Sequence, residues 1–134
     1  MKLAGVVVLY NPSKDVKDNI NSYLEFLDKL YVIDNSSDSH EKDFNDEKME
    51  YIHQDENMGI AYPLNLGCVL AIRDRFNWLL TMDQDTKFNS DVLPVLIDYI
   101  ENNDTSKDGI VTVWHESNLD VEKPKDKIDY PLTE

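Results

Sequence analysis

Leu3-Ala4-Gly5-Val6-Val7-Val8-Leu9-Tyr10, closed by Asn11-Pro12-Ser13, is the stretch on which the fold turns. It is apolar without a break and rich in β-branched residues. A strand with one face in water alternates polar and apolar positions, so this run reads as a strand buried on both faces. Such strands belong to parallel sheets covered by helices. Asn11-Pro12-Ser13 is turn chemistry. The run carries no small-residue cleavage site, so a strand reads better than a signal peptide.

The rest of the chain keeps that pattern. From Val16 the apolar positions Ile20, Tyr23, Leu24, Leu27 and Leu30 advance at helical spacing, predicting a helix with one buried stripe. Residues 31–33 read as a second strand, ended by Asp34-Asn35-Ser36-Ser37, and residues 49–53 as a weak third. A break at residues 57–59 precedes a helix over residues 61–73, with Pro63 tolerated in its first turn. Residues 78–82 form a fourth apolar strand, ending in Asp83-Gln84-Asp85-Thr86. Ser90 is the expected N-cap of a helix reaching Ile100, and residues 109–114 the expected fifth strand. The order predicts an α/β domain over residues 1–115, an open and mostly parallel sheet with helices on both faces. Residues 116–134 hold six acids, three lysines and two prolines, and read as an irregular tail.

Composition narrows the partners. Thirteen Lys and Arg against 27 Asp and Glu among 134 residues give a net charge of −14. A nucleic-acid binder neutralises phosphates with Lys and Arg, so this balance argues against one. No run approaches the roughly 20 apolar residues of a membrane-spanning helix, and the chain reads as soluble and cytoplasmic. The lone Cys68 cannot form an intrachain disulfide and, on an apolar helical stretch, is expected to be a buried structural thiol. His40, His53 and His115 lack ligand spacing and are expected at the solvated surface.

In parallel sheets ligands bind at the carboxyl ends of the strands, so the residues just past each strand are the candidates for a site. Those ends hold Tyr10-Asn11, Asp34-Asn35-Ser36, Asn57-Met58-Gly59 and Asp83-Gln84-Asp85, and no phosphate-cradling glycine loop. Asp83 and Asp85 are the sharpest feature. Residues i and i+2 on a strand point the same way, and two carboxylates aimed into one crevice call for a cation between them. Magnesium typically takes one or two carboxylates and fills its other positions with water and phosphate oxygens. An acidic chain can hold a diphosphate in this way. Each position also has a plainer reading: Asp-x-Asp-Thr as a turn, Asp34 in an Asx turn with Asn35 and Ser36, and Tyr10 packing on the core rim.

Four stretches together carry a family resemblance: residues 6–12, residues 32–37, residues 57–67 (Asn57-Met58-Gly59-Ile60-Ala61 to Asn65-Leu66-Gly67) and residues 78–86. In this order they resemble the nucleotide-sugar-binding half of a family 2 glycosyltransferase with the GT-A fold. The Asp-Gln-Asp form is similar to rhamnosyltransferase-like members. The resemblance implies that Tyr10 and Asn11 line a base pocket and that Asp34 accepts from the N–H of uracil or thymine. It implies that Asn57 and Gly59 shape the turn beside base and ribose, and that Asp83 lies near the ribose and metal. Asp85 would ligate a divalent cation, Mg²⁺ or Mn²⁺, bridging to the diphosphate. The implied activity is inverting transfer of a sugar, with rhamnose a candidate, from a dTDP or UDP donor to a glycan or lipid-linked acceptor in polysaccharide synthesis. The full-length enzyme would work at the inner face of the membrane. The acceptor half and the general base are expected beyond Glu134. Two other classes fit less of the chain. A haloacid-dehalogenase-type phosphatase places its Asp-x-Asp after an opening strand, with Thr or Val where Lys87 stands. A receiver-like module wants paired acids where Tyr10-Asn11 stand.

Overall fold

A computed structural model describes residues 1–112. The opening run forms β1 (Leu3–Leu9), buried at every position as its composition requires. It is one of two inner strands of a four-stranded sheet with β2 (Lys29–Asp34), β3 (Met49–His53) and β4 (Trp78–Asp83), in the order β3-β2-β1-β4. Every pairing is parallel, and the register sets Leu9 beside Asp34 and Val8 beside Asp83. The predicted α/β class with a parallel sheet is what the chain forms.

The chain first steps from β1 to β2 to β3, then returns past β1 to β4. Right-handed crossovers made in opposite directions must run over opposite faces of the sheet. The packing obeys this. Leu3, Val7 and Leu9 meet α1 (Val16–Leu24) and Leu93 of α3 (Val92–Asn102) on one face. Ala4 and Val6 meet Leu70 and Ala71 of α2 (Ala61–Arg73) on the other.

Four local expectations are corrected. The stripe beginning at Val16 is helical only to Leu24. Leu27 stays buried, but the chain there is a turn, and the Asp28 amide already donates to the Leu3 carbonyl at 2.9 Å. Spacing alone cannot distinguish a turn that folds back onto the same core. The cap of α3 is Asp91 rather than Ser90, and it makes no side-chain capping bond. Cys68 is exposed. The buried face of α2 is Pro63, Gly67, Leu70 and Ala71, and Cys68 lies one helical step further round, beside exposed Val69 and Ile72. Residues 109–112 form no strand, and Ile110 stands 88% exposed. A run with an apolar residue turned to water does not bury two faces. Residues 113 and 114 lie outside the described residues.

The Tyr23 hydroxyl is closed to water and has no hydrogen-bond partner among the described residues, and burial pushes its pKa upward. Its ring packs edge-on against Phe88. Tyr23→Phe keeps that ring and removes the orphaned group. It is expected to raise the unfolding free energy by about 1 kcal/mol, read from the urea midpoint. A loss of stability would mean that the hydroxyl has a partner in solution.

Candidate functional site

β1 and β4 are neighbours in the parallel sheet, and their carboxyl ends lie side by side at the edge where ligands of such sheets bind. Tyr10 and Asn11 leave β1 there, and Asp83, Gln84 and Asp85 leave β4. Tyr10 is half exposed, and Asn11 adopts a left-handed φ of 46°, which asparagine tolerates better than most side chains. Asp83 and Asp85 are both exposed. The turn that presents them closes through a bond from the Thr86 amide to the Asp83 carbonyl at 3.1 Å.

The four strand-end segments form one connected rim. Gln84 Oε1 accepts from the Tyr10 amide at 2.9 Å, and Gln84 Nε2 donates back to the Tyr10 carbonyl at 3.2 Å. Asn19 Nδ2, in the first turn of α1, donates to the Gln84 carbonyl. The Asn11 amide donates to Ser36 Oγ at 2.8 Å. Asn35 Nδ2 donates to the Gly59 carbonyl at 2.8 Å, and the Gly59 amide donates to Asn57 Oδ1. Gly59 has φ of +72°, a conformation that a side chain would strain. Tyr10, Asn11, Asn57, Gly59, Asp83 and Asp85 thus share one edge of the sheet. Gln84, whose role sequence reasoning did not assign, ties the β1 end to the β4 end. Gln84→Ala is expected to cost about 1 kcal/mol and to speed hydrogen exchange at the Tyr10 amide beyond what global unfolding explains.

Asp34 is placed differently from its neighbours. It is fully buried, and both carboxylate oxygens face protein donors. Oδ1 accepts from the Ser36 amide at 2.9 Å, an Asx-type turn, while Oδ2 accepts from the Tyr51 hydroxyl at 2.6 Å and lies 2.8 Å from His40 Nδ1. Burial pushes this carboxyl's pKa up, but bonds from Ser36, Tyr51 and His40 outweigh it and hold it below the ordinary carboxylate range. Tyr51 and His40 were not singled out from sequence. The strand register that sets β3 beside β2 carries that signal, and a single sequence does not show it.

Two histidines expected at the solvated surface are instead half-buried rim members. His40 meets Asp34, and His53 Nε2 bonds the Ser36 carbonyl at 2.8 Å while its Nδ1 pairs with Asp55 at 3.0 Å. Strand ends that converge on one edge draw nearby polar side chains into the loop network. His115 lies outside the described residues.

At the opposite edge the charges are mutually satisfied. Lys29 pairs with Glu50 and Asp74, and Arg73 and the Tyr31 hydroxyl also meet Asp74. Arg73 chiefly, with Lys29 and Tyr31, holds the Asp74 carboxyl far below its usual range.

Among the described residues no three His, Cys, Asp or Glu side chains gather into a group able to hold a metal ion. A divalent cation here would have Asp83 and Asp85 as its protein ligands and complete its shell from water and substrate oxygens. That donor set suits magnesium or manganese and does not suit a closed structural zinc site. No helix among the described residues is long and apolar enough to cross a membrane.

The family model described as "Glycosyl transferase family 2" matches residues 6–130, nearly the whole chain. No curated protein matches it.

Proposed function

Since the chain belongs to glycosyl transferase family 2, we propose that it binds a nucleoside-diphosphate sugar, from the dTDP or UDP series, at the crevice between the ends of β1 and β4. One observation carries this reading: Asp83 and Asp85 leave the sheet beside Tyr10 and Asn11 at its carboxyl edge, with Gln84 between them bonded to Tyr10. Tyr10 offers an exposed ring for a base to stack on. Asn57 and Gly59 shape the wall toward base and ribose. Asp83 and Asp85 hold a divalent cation, which when bound supplies positive charge to the departing diphosphate. The sugar, with rhamnose a candidate, passes to a glycan or lipid-linked acceptor with inversion. A base that deprotonates the acceptor hydroxyl is required, and the described residues offer none in a position to be assigned.

The test is calorimetric titration of UDP and dTDP with and without Mn²⁺. Manganese-dependent binding is expected for the unaltered chain. Asp85→Ala should weaken it by at least about tenfold, about 1.4 kcal/mol, since it removes one of the two carboxylates offered to the cation. Binding that ignores both manganese and the substitution would refute the metal-bridged reading.

A further inference from the structure

The longest charge-free stretch of the chain is not in the sheet. Residues 57–72 hold no Asp, Glu, Lys or Arg, in a sequence where 30% of residues are charged. The stretch runs from the rim segment through α2, and the core uses only one side of that helix. Pro63, Gly67, Leu70 and Ala71 face the sheet. The other side presents Tyr62, Asn65, Val69 and Ile72, whose steps of 3, 4 and 3 trace one stripe down the helix. Val69 is 62% exposed and Ile72 76%, and exposed Met58 and Ile60 extend the apolar surface ahead of the helix. A surface helix ordinarily turns charged residues outward. A contiguous apolar face marks a contact.

Charge says which partner fits. The two ends of the stripe carry opposite signs. Asp55 and Glu56 precede it, and Arg73 and Arg75 end it, all four exposed. Among the described residues neither Glu56 nor Arg75 has an ion-pair partner. Two such stripes laid antiparallel set the acids of one against the arginines of the other, with uncharged residues between. A parallel pairing would set like charges together at both ends. Copies of a chain with a net charge of −14 repel over most of their surface, and this face lets them touch without like charges in contact. We propose that the outer face of α2 is an interface with a second copy of this chain, the two helices antiparallel across a two-fold axis near Gly67. The contact is isologous. Tyr62 lies beside the partner's Ile72, and Asn65 beside the partner's Val69. One helix pair is a small interface, so the dimer is weak and dissociates on dilution.

Sedimentation equilibrium of the full chain over a wide range of concentration tests this. The mass is expected to rise from one chain toward two as concentration increases. The double variant Val69→Glu, Ile72→Glu sets carboxylates against the partner's stripe at positions the fold leaves exposed. It is expected to weaken the dimer at least about tenfold with its circular dichroism unchanged. Cys68, the one cysteine of the chain, is exposed beside the stripe and one residue from its midpoint. In the antiparallel pair the two copies of this thiol lie on the same side of the axis. A short bismaleimide should join two unaltered chains through it, and should fail with the double variant. A parallel pair would hold the two thiols on opposite sides, so a dimer that the reagent does not link overturns the arrangement. A chain that stays monomeric at every concentration overturns the proposal, as does a dimer that the double variant leaves intact. So does a monomer that binds phosphatidylcholine vesicles and releases them in the double variant, which would make this face a membrane contact. None of these readouts depends on nucleotide binding.

Discussion

Asp34→Ala is expected to lower the unfolding free energy by about 3–5 kcal/mol. The substitution leaves the Ser36 amide, the Tyr51 hydroxyl and His40 without the carboxylate they meet. Each unpaired donor costs about 1–3 kcal/mol. Tyr51 and His40 are half-buried and regain some water, which holds the total below the simple sum. Asp34→Asn should fall between, because one amide oxygen still accepts while the NH₂ meets donors. The pH dependence separates this account from a packing effect. The folded carboxyl titrates below its ordinary value of 3.8. A depressed carboxylate contributes its full stability above the unfolded pKa and loses it as pH falls through the folded pKa. The gap between unaltered protein and Asp34→Asn should therefore be widest near neutrality and shrink on acidification below the ordinary carboxylate range. Urea titrations at the two extremes check it. A gap of constant width would show that shape, not charge, sets the cost.

How much of this was legible in the sequence depends on which forces are local. β1 was readable because eight unbroken apolar residues leave few alternatives, and α2 because Pro63 and the break at Gly59 mark its start. The carboxyl-edge placement of Tyr10, Asp34 and Asp83 came from strand ends alone. What was not readable depended on register and on side-chain direction. Leu27 and Leu30 keep helical spacing while the chain turns at Leu27 and enters β2 by Leu30, because a turn and strand that fold back on the core satisfy the same burial. The outward face of Cys68 is set by which residues of α2 meet Val6, and periodicity cannot locate that contact. Tyr51 reaches Asp34 only because β3 lies parallel beside β2, with Asp34 opposite His53. Gln84 stood between two conspicuous acids, and its work is a pair of backbone bonds across the crevice.

Gly67→Leu is expected to destabilise the fold by about 3 kcal/mol or more, and Gly67→Ala by about 1–2 kcal/mol, through overpacking. Helix propensity argues the other way. Gly67 is interior to α2, where alanine is favoured by about 1 kcal/mol. Geometry decides the sign. A Cβ on Gly67 would lie 2.6 Å from Val6 Cγ2 and 2.8 Å from Val6 Cβ. Val6 is on β1, fully buried and hemmed by both neighbouring strands, so it cannot retreat. The helix must lift instead. Val6→Ala removes Cγ2, the nearest atom the new Cβ meets, but keeps the Cβ at 2.8 Å, so it should relieve Gly67→Ala in part. The double variant is expected to be more stable than the sum of the singles by about 1 kcal/mol, a coupling that urea titration of all four proteins measures. A stabilising Gly67→Ala would show that propensity outweighs the contact and that α2 sits further from the sheet. The consequence reaches the site, because α2 starts at Ala61, two residues after Gly59. A helix lifted off Val6 carries the Gly59 carbonyl away from Asn35 Nδ2. Nucleotide affinity should then fall in Gly67→Ala and recover in part in the double variant, although neither residue is among those assigned to bind the ligand.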